Sequence, residues 1–157
     1  MNQLAKIVVN KLIKKKIKIS IAESCTGGLL SSTITSIKNS SKILILSLIA
    51  YSNKSKIEIL KIPKKILKKH GAVSEETCLA MVEKISKLVK TSLSISITGI
   101  AGPGGATRKK PVGLVYISIK RGNKTKIKKY LFKNKGRIFV QKSAVNSSLK
   151  LILSAIK

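Results

Sequence analysis

Three strand-length apolar runs, Lys18 to Ala22, Ile43 to Tyr51 and Leu93 to Ile97, stand between segments whose apolar residues recur at helical spacing. Leu4, Ile7, Val8 and Leu12 precede the first run, and Leu30, Ile34 and Ile37 follow it on one helix face. Pro63 is expected near the start of a helix that reaches Lys69 and stops at Gly71. Ser74-Glu75-Glu76-Thr77 starts the next, with Cys78, Met81, Val82, Ile85 and Val89 on one face. Leu93, Ile95 and Ile97 alternate with Ser94 and Ser96, the period of a strand with one closely packed face. Pro111 to Lys120 and Lys124 to Lys133 read as a hairpin around Arg121-Gly122-Asn123, whose lysine-rich second member suits a sheet edge. Val140, Ala144, Ser148, Leu151 and Ala155 complete a C-terminal helix. Helices before, between and after strands predict a layered α/β domain with a mixed sheet.

The 157 residues suffice for one domain, 1–157, with a buried core. No stretch approaches the roughly 18 apolar residues of a membrane span, and the basic N-terminus lacks the long apolar segment of a secretory signal. A soluble cytoplasmic protein with no membrane partner is expected. Cys25 and Cys78, the only two cysteines, suit a reducing compartment. The net charge of +28 raises nucleic acid as a partner. Yet only Arg108, Arg121 and Arg137 among 33 basic residues are arginine, and aromatic residues are 3% of the chain, so base readout and stacking are poorly supplied. Nucleic acid is therefore disfavoured, and the charge is expected to draw an anionic substrate.

The block AESCTGG, Ala22 to Gly28, puts Ser24 where a strand turns into a helix. Such a serine is either a nucleophile or a helix cap. The chain has no aspartate; its acids are Glu23, Glu58, Glu75, Glu76 and Glu83, and His70 is its one histidine. A paired-carboxylate hydrolase or a multi-ligand metal site is poorly supplied by that inventory, so neither metal nor organic cofactor is expected. His70, just before Gly71, reads as a helix-end residue. Cys25 reads as a small buried residue or a thiol nucleophile at a helix N-terminus, and Cys78 as buried. For acyl transfer this leaves serine activated by a neutral lysine.

In order, AESCTGG (22–28), YSNKSK (51–56), GAVS (71–74), TGIAGPGG (98–105) and KPVG (110–113) resemble the blocks of the CinA C-terminal domain family, the nicotinamide-nucleotide amidases. The resemblance runs from Leu4 to the C-terminus, and a stand-alone form without the N-terminal domain of longer CinA proteins is expected. It implies a three-layer α/β/α sandwich and hydrolysis of the nicotinamide mononucleotide carboxamide to nicotinate mononucleotide and ammonia. It implies Ser24 as nucleophile and Lys56 as its base, with Ser41, Tyr51 and Thr98 lining the site and Arg137 for an anionic group. Whether Ser24 or Ser41 attacks stays open at this level. Backbone amides at Gly27-Gly28, or in the loop of Gly99 and Gly102, are candidates to meet the phosphate, and Thr26 and Asn53 are further candidate binding residues.

The chain departs from the family pattern in places. Asn39 and Ser47 stand where glycine is common, and Gln141, beside Lys142, stands where a second arginine usually follows Arg137. Two rivals follow: a domain that binds the nucleotide without turning it over, and a basic nucleic-acid-binding protein. A homo-oligomer is expected.

Overall fold

The computed structural model describes residues 2–157. Along the chain run α1 (Asn2–Lys14), β1 (Ile19–Glu23), α2 (Leu29–Thr35), β2 (Leu44–Ile49), α3 (Asn53–Glu58), α4 (Lys64–His70), α5 (Glu75–Val89), β3 (Leu93–Gly99), β4 (Leu114–Arg121), β5 (Lys124–Leu131) and α6 (Arg137–Ala155). The strands form one mixed sheet in the order β2-β1-β3-β4-β5. β1 lies parallel to both β2 and β3, while β3–β4 and β4–β5 are antiparallel. The expected hairpin is β4–β5, with Arg121 opposite Lys124 across the Gly122-Asn123 turn.

Two helical layers enclose the sheet, which makes the α/β/α sandwich. On one face Val8, Leu12, Leu30, Ile34, Val145 and Ile152 of α1, α2 and α6 pack on Ile19, Ile21 and Ile95. On the other, Leu67, Met81 and Ile85 of α4 and α5 pack against Ala22. The alternation of β3 predicted one closely packed face, and the structure packs both, the serine face included. Leu93 to Thr98 are all buried, because the strand is central and covered on both sides. Ser96 Oγ donates to the Cys78 carbonyl of α5 at 2.7 Å, and Ser94 Oγ lies 2.8 Å from Ser20 Oγ. Small hydroxyl side chains here let α5 approach closely while every buried oxygen keeps a partner.

The helix ends follow the sequence. Ser74 Oγ accepts from Thr77 N at 3.2 Å to cap α5, and Gly71 ends α4 at φ 78°. Asn39 stands at φ 69°, a left-handed conformation asparagine tolerates better than most residues. α3 is the element that periodicity missed. It is one short helix fixed by a reciprocal cap: Ser52 Oγ accepts from Ser55 N at 3.0 Å, and Ser55 Oγ accepts from Ser52 N at 3.1 Å. Among the described residues no helix is long and apolar enough to cross a membrane.

Strand order reverses at β1: the chain passes to β2 on one side, then returns over the sheet to β3 on the other. In open α/β sheets such a point leaves a crevice beyond the carboxyl ends of the strands. Ser24, immediately after β1, stands at that crevice.

Candidate active site

Ser24 leaves β1 with its amide still in the sheet, donating to Ile97 O at 3.0 Å. It does not cap α2. The N-cap position of that helix is Gly28, and the orphan amides of Leu30 and Ser31 donate instead to the Glu23 carboxylate at 3.1 and 2.8 Å. Glu23 is 0% exposed and also accepts from Ser31 Oγ, which in turn meets Ser47 Oγ. A buried carboxylate from the strand end therefore does the capping, and the Ser24 hydroxyl is released for another partner.

That partner is Lys56. Tyr51 and Ser52 turn the chain out of β2 into α3, and the buried side of α3 carries Lys56 back under the β1 turn. Its side chain is 1% exposed, and Nζ donates to Ser24 Oγ at 2.9 Å, Ala50 O at 2.7 Å and Tyr51 O at 3.3 Å. Burial disfavours the ammonium and lowers its pKa from 10.5 to about 8. Both thiols move the other way. Burial pushes Cys25 and Cys78 up to about 12, which leaves them protonated and makes Cys25 an inert neighbour of the serine.

The cleft in front of this pair has a volume of about 220 Å³. Tyr51, Thr98, Gly99, Gly102 and Arg137 line it with Ser24 and Lys56, joined by Ala72 and Val73 of the GAVS block and by Gly104 and Gly105. Arg137, the first residue of α6, donates from Nη1 to Gly102 O at 2.9 Å and from Nη2 to Tyr51 Oη at 2.6 Å. Its charge faces the cleft, and among the described residues no acid pairs with it. Thr98 Oγ1 donates to Ala72 O at 2.8 Å, and Lys110 Nζ donates to His70 O at 2.8 Å, so distant blocks are tied into one rim. Gly99 has no freedom to be anything else: a Cβ there would come within 2.7 Å of Leu114 O.

Other expected site residues lie elsewhere. Thr26, Gly27 and Gly28 line an adjoining groove with Gln141 and Lys142, separate from the Ser24 cleft. Ser41 sits exposed in a single 3-10 turn (Ser40–Lys42) just before β2, at the opposite end of the strand from Tyr51. Among the described residues, of the two candidate nucleophiles only Ser24 hydrogen-bonds a lysine side chain. Asn53 is exposed on the outer side of α3. His70 Nδ1 pairs with Glu76 Oε1 at 3.0 Å rather than facing the cleft.

Two residues have roles here that the sequence did not show. Gln141, noted in the sequence only as standing in place of a second arginine, donates from Nε2 to Cys25 O at 2.9 Å and fixes the turn that carries Ser24. Glu23 was detectable only as an acid at the end of an apolar strand in a chain with five acids. Among the described residues no three His, Cys, Asp or Glu side chains gather as metal ligands would.

The comparisons agree with this architecture. The model of the CinA C-terminal domain matches residues 1–156. A CinA-like protein of Prochlorococcus marinus subsp. pastoris is 45% identical over 157 residues, covering 97% of this chain and 36% of that protein. A CinA-like protein of Kosmotoga olearia is 50% identical over 126 residues, 80% of this chain and 31% of its own length. The chain thus spans about a third of the curated relatives it matches. Among solved structures, the competence/damage inducible protein of Agrobacterium tumefaciens superposes with a TM-score of 0.96 at 30% identity, covering 99% of this chain and 95% of that one. The CinA superfamily protein of Enterobacter cloacae gives 0.93 at 30% identity, over 99% and 92%. The chain belongs to the CinA C-terminal domain family.

Proposed function

We propose that this domain is a cytoplasmic nicotinamide-nucleotide amidase working through a Ser24–Lys56 pair. The observation that carries the reading is the buried Lys56 Nζ, 2.9 Å from Ser24 Oγ, with a pKa lowered to about 8. A neutral lysine has two N–H bonds and one lone pair. Ala50 O and Tyr51 O take the two N–H bonds, which turns the lone pair toward Ser24.

In this mechanism Lys56 takes the Ser24 proton as Oγ adds to the carboxamide carbon. The tetrahedral intermediate collapses as the lysine ammonium protonates the leaving ammonia, and an acyl-serine remains. Water then adds with its proton passing to Lys56, and collapse returns that proton to Ser24 and frees the nicotinate. The amide of Cys25 follows Ser24 in the turn, lines the same cleft and donates to no backbone carbonyl among the described residues, so it is free to hold the oxyanion. The pyridinium charge of a bound nucleotide disfavours a second cation at Lys56 and assists its base form. Arg137 supplies two-pronged recognition of the phosphate.

Purified protein incubated with nicotinamide mononucleotide should release ammonia in step with nicotinate mononucleotide. Absence of ammonia, with retained nucleotide binding, would leave a binding domain without turnover.

A further inference from the structure

At the end of the sheet opposite the cleft, register sets Leu44 of β2, Ile19 of β1, Leu93 of β3, Arg121 of β4 and Lys124 of β5 in one row. Every strand carries a cation there. Lys42 stands two residues before Leu44, Lys18 one before Ile19 and Lys90 three before Leu93, while Arg121 and Lys124 belong to the row itself. All five are exposed. Four strand spacings of about 4.8 Å make the row about 19 Å long, and the length of β1 sets it about 16 Å from Ser24.

Two cavities open along this row. Lys16, Lys18 and Lys42 ring one of about 370 Å³ beside Ile13 and Ile43, and Arg121, Lys124 and Lys126 ring another of about 190 Å³ over Leu151. Among the described residues no acid lines either. Glu23 ends β1 at the cleft end, Glu75 and Glu76 open α5 there, and Glu58 lies in α3, which follows the carboxyl end of β2. Glu83 is already taken, by Lys120 Nζ at 2.8 Å and Thr125 Oγ1 at 3.1 Å. A helix dipole accounts for a cation at a helix carboxyl end, as for Lys90, but Lys18, Arg121 and Lys124 flank strands.

We propose that this face binds the phosphate backbone of duplex nucleic acid without regard to sequence. The scarcity of arginine and aromatic residues argues against base readout and stacking, and phosphate contacts need neither. A row of about 19 Å exceeds the ~12 Å width of the major groove, so it reaches phosphates on both strands. An anionic membrane would offer similar charge, but this face has no ring to anchor in it. Tyr51, Tyr116, Tyr130, Phe132 and Phe139, all the aromatic residues of the chain, stand toward the cleft end.

Fluorescence anisotropy of the full chain with labelled duplex DNA tests this. Five phosphate contacts give an expected slope of log K against log salt of about −4.5 between ~0.05 and ~0.2 M, the same for two duplexes of unrelated sequence. Lys42→Gln/Lys90→Gln/Lys124→Gln should flatten that slope by about 2.7 and weaken binding at least ~tenfold at ~0.1 M salt, with an unchanged circular dichroism spectrum. Lys64→Gln/Lys65→Gln/Lys68→Gln takes the same charge from α4, and should change the slope by less than about 1. Equal losses in the two triple variants would assign the binding to net charge alone and overturn the proposal. So would a slope shallower than about −2, or capture of phosphatidylglycerol vesicles with none of the duplex.

Discussion

Lys56 Nζ stands 2.9 Å from Ser24 Oγ, across a gap in sequence of 32 residues, in a site where the lysine is almost wholly shielded from water. In the proposed mechanism the two act as one device. Ser24→Ala and Lys56→Ala should each lower kcat on the mononucleotide on the order of 10³-fold, and the double variant should be scarcely worse. Since the neutral amine is the active form, kcat/KM should rise with pH and level off above about 8. Additive losses in the double variant would separate the pair.

The same burial couples folding to pH. Lys56 has a folded pKa of about 8 against 10.5 unfolded, so between those values the unfolded chain binds the extra proton and stability rises with pH. Cys25 and Cys78 are raised to about 12 from 9.0, so above 9 the unfolded chain loses protons first and stability falls. Two thiols outweigh one amine. The urea midpoint contributed by these groups should climb from pH 8 to about 9 and decline beyond it. Lys56→Ala should remove the climb, and Cys25→Ala with Cys78→Ala should remove the decline.

Much of this fold was readable because its signals are local. Gly71 and Ser74 mark helix boundaries by their own chemistry, and the apolar runs of β1 and β2 are bounded by turns. α3 was not readable, since its single buried residue is the lysine and a helix so short shows no apolar period. Lys56 is one of 30 lysines; burial, the property that distinguishes it, comes from distant parts of the chain. A cap stayed open as the second reading of Ser24 because caps are usually hydroxyls next to the helix, whereas here Glu23 reaches over from the strand. Motif blocks give residue types, and only the sheet topology separates Ser41 from Ser24.

Glu23 is testable apart from catalysis. Glu23→Ala leaves the Leu30 and Ser31 amides without their acceptor in a dry site, and should cost about 2–4 kcal/mol in urea unfolding. Glu23→Gln keeps one carbonyl acceptor but sets an amide donor against N–H groups, so it should fall between the two. A cost below about 0.5 kcal/mol for the alanine variant would mean that solvent or another side chain takes over the cap.

The chain's charge should act at capture. Among the described residues one lysine–carboxylate ion pair forms, Lys120–Glu83, so the positive field of the surface is largely uncompensated. At ~0.15 M salt the Debye length is ~8 Å, long enough to steer a phosphate toward the rim. Raising salt should lower kcat/KM more than kcat; equal effects would make the +28 idle in catalysis.

In the proposed mechanism Arg137 links recognition to the dyad. Its guanidinium is held by Gly102 O and Tyr51 Oη, and Tyr51 also supplies a carbonyl to Lys56, so one residue touches both functions. Two terminal N–H groups are used in those bonds, and the rest of the fork keeps its charge toward the cleft. A lysine there could hold either Gly102 or a phosphate, not both with the same geometry. Arg137→Lys should therefore raise KM for the mononucleotide by up to ~tenfold, the worth of about 1.4 kcal/mol, with kcat and the urea midpoint little changed. Tyr51→Phe removes only the hydroxyl tether and leaves the carbonyl to Lys56, so its effect should be smaller and also confined to KM. Unchanged kinetics in the lysine variant would move phosphate recognition to the groove of Gly27, Gly28 and Lys142.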